Sequence, residues 1–321
     1  HLEFVQLSGM SHDLENSNKS TQKNALLSVC IKKPLLSVCI KKPLFAISMR
    51  CARHIMLTIL LALSALPSRG QCEMENTAFS SGETLVYDLY FNWKFVWVKV
   101  GSATLVTRGS IYNGIHGYRS SLTTRGNKLA DKLFVMRDTL TSVVTTKLVP
   151  LYYRKGALEG RQYRVDEVWY TYPDGVSTVK QRYRNPAGKI YNHQYSSRES
   201  CIMDMMSMFL RARSFDPTSW GNGKRIHFLM ADGDEVNDKV FVYRGKEDFT
   251  MESTGATYRC LVVSFVDKDD KGKEKDIITF YITDDENHLP VRLDLNLKFG
   301  SAKAFLTAKT GVRHPLSSQV R

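Results

Sequence analysis

From residue 84 to residue 307 the chain runs as short apolar stretches in which β-branched and aromatic residues alternate with polar ones, broken at short intervals by Gly, Pro, Asn or Asp. The segments 84–92, 95–106, 118–125, 133–144, 151–156, 163–172, 225–230, 239–243, 258–266, 277–282, 290–297 and 302–307 carry this pattern and predict strands. Asn113-Gly114, Pro173-Asp174-Gly175, Asn185-Pro186-Ala187-Gly188 and Asp232-Gly233 predict the reversals between them. In 290–297, Val291, Leu293 and Leu295 alternate with Arg292, Asp294 and Asn296, the mark of a sheet with one face in water. About fourteen short-connected strands without strand–helix alternation predict an all-β, mainly antiparallel fold: a strongly curved sheet, barrel or half-barrel.

One stretch breaks the pattern. Residues 197–213 have apolar side chains at helical spacing, and the sequence predicts a single α-helix there. Ser196 followed by Glu199 fits a capping box, Arg211 and Arg213 suit the negative end of the helix dipole, and Asp216-Pro217 blocks continuation. Asp204, Ser207 and Arg211 share one narrow stripe; Met203, Met205, Met206, Met208 and Phe209 are among the residues covering the rest. A helix so apolar must be largely surrounded, and the curved sheet is the surface available to enclose it.

Upstream, the pattern changes character. A nine-residue unit, Leu27 to Leu35, repeats almost unchanged as Leu36 to Leu44, so residues 1–48 read as a non-native or disordered extension outside the fold. From Met49, Arg50 and Arg53 precede the apolar run Ile55 to Leu66, and Ser68-Arg69-Gly70 ends it. This is the layout of a secretory signal at 49–70, cleaved near Gly70. Gln71 stands before Cys72 where a lipobox needs a small residue. Residues 71–321 then form a single β-rich domain with a core of about 79–308, and no span of it is apolar and long enough to cross a bilayer as a helix. The formal net charge is +13; removing residues 1–70, with nine Lys or Arg and three Asp or Glu, leaves +7 over 251 residues. For an exported chain that basic balance suits anionic headgroups or acidic glycans and argues against nucleic acid. Cys72, Cys201 and Cys260 remain, enough for one disulfide; Cys201–Cys260 is the candidate bridge, with buried free thiols as the alternative.

Catalytic signatures do not emerge. The chain has no Gly-x-Ser-x-Gly elbow and no His-Glu-x-x-His, and His116, His193, His227, His288 and His314 stand singly. Asp267 to Gly272 begins like a calcium loop but has Lys271 at its fifth position, and Asp284-Asp285-Glu286 reads as a turn rich in carboxylates. Arg137-Asp138 reads as an ion pair flanking a strand. The expectation is therefore a non-enzyme without catalytic residues, metal or cofactor. Residues 152–195 are the distinctive polar region: Tyr153, Arg154, Arg164, Trp169, Arg182 and Arg184 belong to a set in which aromatic rings interleave with cations. Such planes and guanidinium groups suit sugar rings or anionic headgroups, or simply a solvated hairpin surface.

Several segments together resemble the exported bacterial family called domain of unknown function 3108. They are Gly82 to Tyr87 with Val100 to Ala103; Leu133-Phe134 with Arg137-Asp138; Leu148-Val149-Pro150; Asp204 to Arg211; Gly255 with Tyr258-Arg259-Cys260; and Thr283-Asp284-Asp285 through Leu289-Pro290-Val291 to Gly300. The resemblance spans roughly 79–308. It implies a β-rich fold, a Gram-negative envelope location and no activity or catalytic residues to carry over; the Met-rich helix is similar to Bacteroidetes members. By analogy of fold alone, a half-open barrel around a helix is similar to periplasmic lipoprotein carriers.

These readings converge on a non-catalytic envelope protein that binds a lipid or acidic glycan. Met203, Met205, Met206 and Phe209 would meet the apolar portion, and Tyr153, Arg154, Arg164, Trp169, Arg182 and Arg184 the anionic portion. The alternatives are an envelope assembly protein that binds a protein partner through exposed strands, and an enzyme of unrecognised type.

Overall fold

The computed structural model of the protein describes residues 72–320, except 94–95, 133–134, 253, 269–271 and 298–299. The extension 1–48, its repeat and the signal 49–70 lie outside the described residues, as do Leu133, Phe134 and the middle of the calcium-like loop. The strands are β1 (Thr84–Trp93), β2 (Val96–Tyr112), β3 (Ile115–Gly126), β4 (Met136–Thr145), β5 (Pro150–Glu159), β6 (Gln162–Thr171), β7 (Ser177–Arg184), β8 (Ile190–Ser197), β9 (Ile202–Met203), β10 (Arg225–Asp232), β11 (Glu235–Thr250), β12 (Thr257–Lys268), β13 (Glu274–Thr283), β14 (Pro290–Asn296) and β15 (Ser301–Thr310). A single-turn helix α1 (Lys128–Asp131) and the helix α2 (Met205–Ala212) complete the elements used below.

All fifteen strands join one sheet in the order β8-β7-β6-β5-β4-β3-β2-β1-β15-β14-β13-β12-β11-β10-β9. The chain therefore meanders outward in two arms from the β1–β15 pair, where its first and last strands run antiparallel. The predicted all-β, mainly antiparallel, curved architecture is what is found, and the β9–β10 ladder is its parallel exception. Right-handed twist accumulated over so many strands brings the two edges round toward each other. They meet through side chains: Ser177 Oγ on β7 accepts from the Ile202 N–H at 3.1 Å, and the Gln181 amide donates to the carbonyls of Gly233 and Glu235. The result is a nearly closed barrel with a seam.

Curvature has local causes. Gly117 on β3 lies so near β4 that a Cβ there would stand 1.9 Å from the Val144 carbonyl oxygen. Gly245, at φ 111°, sits at the register shift of β11 against β12. Gly117 lets the two backbones approach closely, and Gly245 takes the positive φ at the bulge. Strand alternation turns Leu85, Tyr87, Ala103, Leu105, Leu140 and Tyr153 into the barrel, where they bury with α2 as one core.

The helix is shorter than 197–213 and starts later. Its N-cap is Asp204: Oδ1 accepts the Ser207 N–H at 2.8 Å, and Ser207 Oγ accepts the Asp204 N–H at 2.9 Å. The Ser196/Glu199 box does not form, because Ser196 belongs to β8, where its hydroxyl meets Thr178 at 2.9 Å, and Ile202–Met203 pairs with β10. Inter-strand hydrogen bonds outcompeted a local cap whose helix would have begun in the sheet. At eight residues α2 is too short to persist alone and depends on burial of Met206, Ser207, Met208 and Leu210. Among the described residues no helix is long and apolar enough to cross a membrane.

Cysteine pairing also differs from expectation. Cys72 bonds to Cys201, with Cα atoms 5.2 Å apart, while Cys260 is a free, buried thiol. Cys260 lies within β12 opposite Thr283, whereas Cys201 lies just before β9, near the chain entering at Cys72. Arg211 secures that entry by donating to the Cys72 carbonyl at 2.6 Å.

Candidate functional site

Beneath α2 the barrel is incompletely filled. A cavity of about 310 Å³ is lined almost wholly by apolar atoms, a volume at the lower end of small-molecule sites. Met205, Met206, Met208 and Phe209 form its helical side. Opposite, the arm β10–β14 presents an aromatic and aliphatic wall that includes Phe228, Phe241, Phe265 and Phe280. Phe241 packs edge-on against both Phe265 and Phe280, with ring centroids 5.9 and 6.1 Å away, so this wall is rigid. The helical side, built on unbranched thioethers, can adjust its shape.

The helix is fixed at both ends by polar contacts. Asp204, fully buried, also accepts from Ser142 Oγ at 3.2 Å and Tyr170 Oη at 3.3 Å. Burial pushes its carboxyl up to about 6, with the hydrogen bonds from Ser207, Ser142 and Tyr170 working against the shift. At the other end Arg213, 2% exposed, makes a bidentate pair with Glu83, 1% exposed, at 2.5 and 2.9 Å. Its guanidinium donates further to the Asn287 carbonyl. His288, on the cavity lining, is tied through Nδ1 to the Arg213 carbonyl at 2.6 Å.

The residues singled out from sequence do not gather at one place. Met205, Met206 and Phe209 line the cavity; Met203 is instead buried in β9 and packs in the neighbouring core with Phe228 and Phe241. The aromatic and basic residues separate by strand alternation. Tyr153 faces inward and is buried, and Arg164 shares that face, donating to Glu159 at 3.3 Å. Arg154, Trp169, Arg182 and Arg184 lie on the outer face, where Arg182 holds the Glu167 carboxylate and stacks over Trp169 at 5.5 Å. A ligand in the cavity therefore cannot use these outer cations for its head, and the expected division of one ligand between helix and hairpin surface is corrected. Arg137 and Asp138 likewise point to opposite sides: Arg137 pairs with Asp131 at 2.8 Å, while Asp138 lines the cavity.

Residues 86–307 match the family described as protein of unknown function (DUF3108). The chain belongs to that family. A search of curated proteins found no match. Among solved structures the DUF3108 chain is similar to a beta-barrel-like protein of domain of unknown function DUF1849 from Brucella abortus, at 12% identity and a TM-score of 0.50. The alignment covers 74% of this chain and 100% of that one, and it shows the fold alone. These matches indicate no catalytic family.

Within the DUF3108 barrel, sequence reasoning passed over the inner polar residues of β4–β6. Lys155, 5% exposed, lines the cavity, although its neighbours in sequence made it look like a surface cation. Across the ladders Lys155 stands opposite Leu140 on β4 and Asp166 on β6, and Asp138 is two residues from Leu140, so all three charges share the inner face. Burial raises the Asp138 carboxyl and pushes Asp166 up to about 6, with Lys155 opposing both shifts. The alternation Tyr153, Lys155, Ala157 against Tyr152, Arg154, Gly156 was the available signal: a lysine in phase with core residues. Among the described residues no group of three or more His, Cys, Asp or Glu is placed to hold a metal ion.

Proposed function

We propose that this DUF3108 member is an exported, non-catalytic binding protein of the Gram-negative envelope, and that it holds an amphiphile whose apolar portion occupies the cavity beneath α2. The observation that carries the reading is the cavity itself: about 310 Å³ of space left between a methionine-bearing helix and a wall of packed phenylalanines. A closed core of such residues would collapse onto itself, since dispersion contacts are lost around any void. A space kept open by a rigid wall and an adaptable helix favours an exchangeable apolar guest. Export through the signal at 49–70 is supported by the Cys72–Cys201 bridge, since disulfides persist in oxidising compartments. An acidic glycan on the outer hairpins is less favoured, because Arg182 is already paired with Glu167 and would have to exchange that partner.

Native mass spectrometry of the protein purified from envelope, together with titration by an apolar fluorophore that brightens on leaving water, tests the reading. A co-purifying lipid, or saturable fluorophore binding displaced by lipid extract, is expected. Purified protein free of lipid that also leaves the fluorophore dark would overturn it.

A second reading rests on β8, which pairs on one side with β7 and presents its other edge, with Ile190 53% and Tyr195 45% exposed. Such an edge suits a partner protein that adds a strand. Reproducible cross-links to β8, lost when Gln194 is replaced by Pro, would support that role.

A further inference from the structure

The inner wall of β4–β6 holds a charge arrangement that the fold itself leaves incomplete. Lys155 is 5% exposed and lines the cavity, yet among the described residues no hydrogen bond or ion pair reaches its Nζ. Asp138 Oδ1 and Asp166 Oδ1 are buried oxygens without a hydrogen-bond partner. Leaving one such group unsatisfied costs about 1–3 kcal/mol, and more when it is charged, so these two oxygens and the ammonium beside them call for a common partner.

Resting on the amphiphile reading above, we propose that Lys155 and Asp138 on the cavity lining, with Asp166 directly opposite Lys155 on β6, form the head-binding end of the cavity, and that they select an uncharged head bearing at least two hydroxyls, as in a monoacylglycerol or a glycosylated lipid. The chemistry of the three groups excludes the other classes of head. An ammonium has three donors and no acceptor, while an ionised carboxylate has acceptors only. A hydroxyl does both: its oxygen takes a hydrogen bond from Lys155 while its proton goes to Asp138 or Asp166. Two hydroxyls satisfy all three groups.

Charge balance points the same way. The charges on this wall are Lys155 and Arg164 against Asp138, Glu159 and Asp166; elsewhere the cavity lining carries Asp232, Lys303 and Arg213, the last paired with Glu83. Arg164 is occupied by Glu159 at 3.3 Å, which leaves Lys155 facing two carboxylates, Asp138 and Asp166, on this wall. An anionic head would add to a surplus of negative charge in a low dielectric. A cationic head would meet carboxylates but leave Lys155 without an acceptor and beside a like charge. The spacing suits the bridge as well: directly opposite Cβ atoms on adjacent strands are about 4.5–5.5 Å apart and diagonal ones about 7–8 Å, the span of a short diol.

The test uses the purified mature chain and three probes with the same twelve-carbon tail, monolauroylglycerol, lauric acid and dodecylamine, each displacing the apolar fluorophore at pH 7.5. Monolauroylglycerol is expected to displace at roughly tenfold lower concentration than either charged probe, equivalent to about 1.4 kcal/mol. In Lys155→Met and in the double variant Asp138→Asn/Asp166→Asn that preference should collapse to less than about twofold. Circular dichroism identifies a variant that fails to fold, and selectivity in the native chain then decides alone. Equal or tighter binding of lauric acid or dodecylamine would overturn the head assignment while leaving the amphiphile reading intact. Failure of the fluorophore to bind the native chain would remove both.

Discussion

Asp166 shows how a single buried residue can tie stability to pH. Its carboxyl is pushed by burial from an ordinary 3.8 to about 6, so between about pH 4 and pH 6 the folded chain keeps a proton that the unfolded chain releases. The stabilisation from the neutral acid is therefore complete below pH 4 and lost as pH rises through 6. Asp166→Asn, which stays neutral, is expected to exceed the native chain in stability at pH 7.5 by on the order of 2 kcal/mol and to match it near pH 4. Urea unfolding at the two pH values checks this. Arg213 carries the opposite lesson. Its pair with Glu83 is buried on both sides, so Arg213→Met should cost about 3–5 kcal/mol by stranding the glutamate, whereas joint replacement with Glu83→Leu should recover much of the loss. Thermal unfolding of the single and double variants separates the cost of a stranded charge from the worth of the pair.

At the level of elements, α2 is a short helix whose residues divide between holding the fold and shaping the space beside it. All four of Met205, Met206, Met208 and Phe209 border the cavity, Met206 and Met208 fully buried and Met205 and Phe209 half-buried. Met205→Trp should fill part of the void and weaken apolar fluorophore binding at least tenfold with little loss of stability. Met206→Ala should instead cost about 2–5 kcal/mol, as a core truncation does. Fluorophore titration and thermal unfolding on the same two proteins distinguish these outcomes. The helix is also anchored by the Cys72–Cys201 bridge, whose cysteines are 129 positions apart in sequence. Reduction, or the Cys72→Ser/Cys201→Ser pair, is expected to lower stability by about 2–4 kcal/mol. Cys260, buried and with its thiol pushed up to about 12 by burial, should stay unlabelled by iodoacetamide until the chain unfolds.

For the whole molecule, the decisive feature is that the sheet approaches closure without completing a ladder. Its two arms meet where Gln181 donates to Gly233 and Glu235 and where Ser177 receives Ile202. A seam of side-chain hydrogen bonds opens more easily than a strand pair, and for the amphiphile proposed above it would be the route of exchange. Gln181→Ala should keep the overall fold but raise hydrogen exchange in β7, β8 and β9 relative to β1 and β15, with faster release of bound fluorophore. Unchanged exchange at the seam would show that Gln181 is not what holds the arms together.

Much of this molecule was legible from local pattern. Period-two alternation marked the long strands because inward residues such as Leu85, Tyr87, Leu140 and Tyr153 must be apolar wherever one face is buried, and turn chemistry marked most reversals. The Met-rich segment declared itself as the enclosed helix for the same reason. Tertiary structure alone decided where that helix begins, which cysteines meet, and which cations look inward. Ser196 and Glu199 formed a valid local signal, yet pairing of β8 and β9 with distant strands overrode it. Cys72 and Cys201 are joined by the closing of the barrel, and Lys155 acquires its meaning only when Asp138 and Asp166 arrive beside it from neighbouring strands. Local sequence reports which face of a strand is apolar, because that is a property of neighbouring residues. What shares the enclosed space depends on strand register and closure, which are set by contacts between residues far apart in the chain.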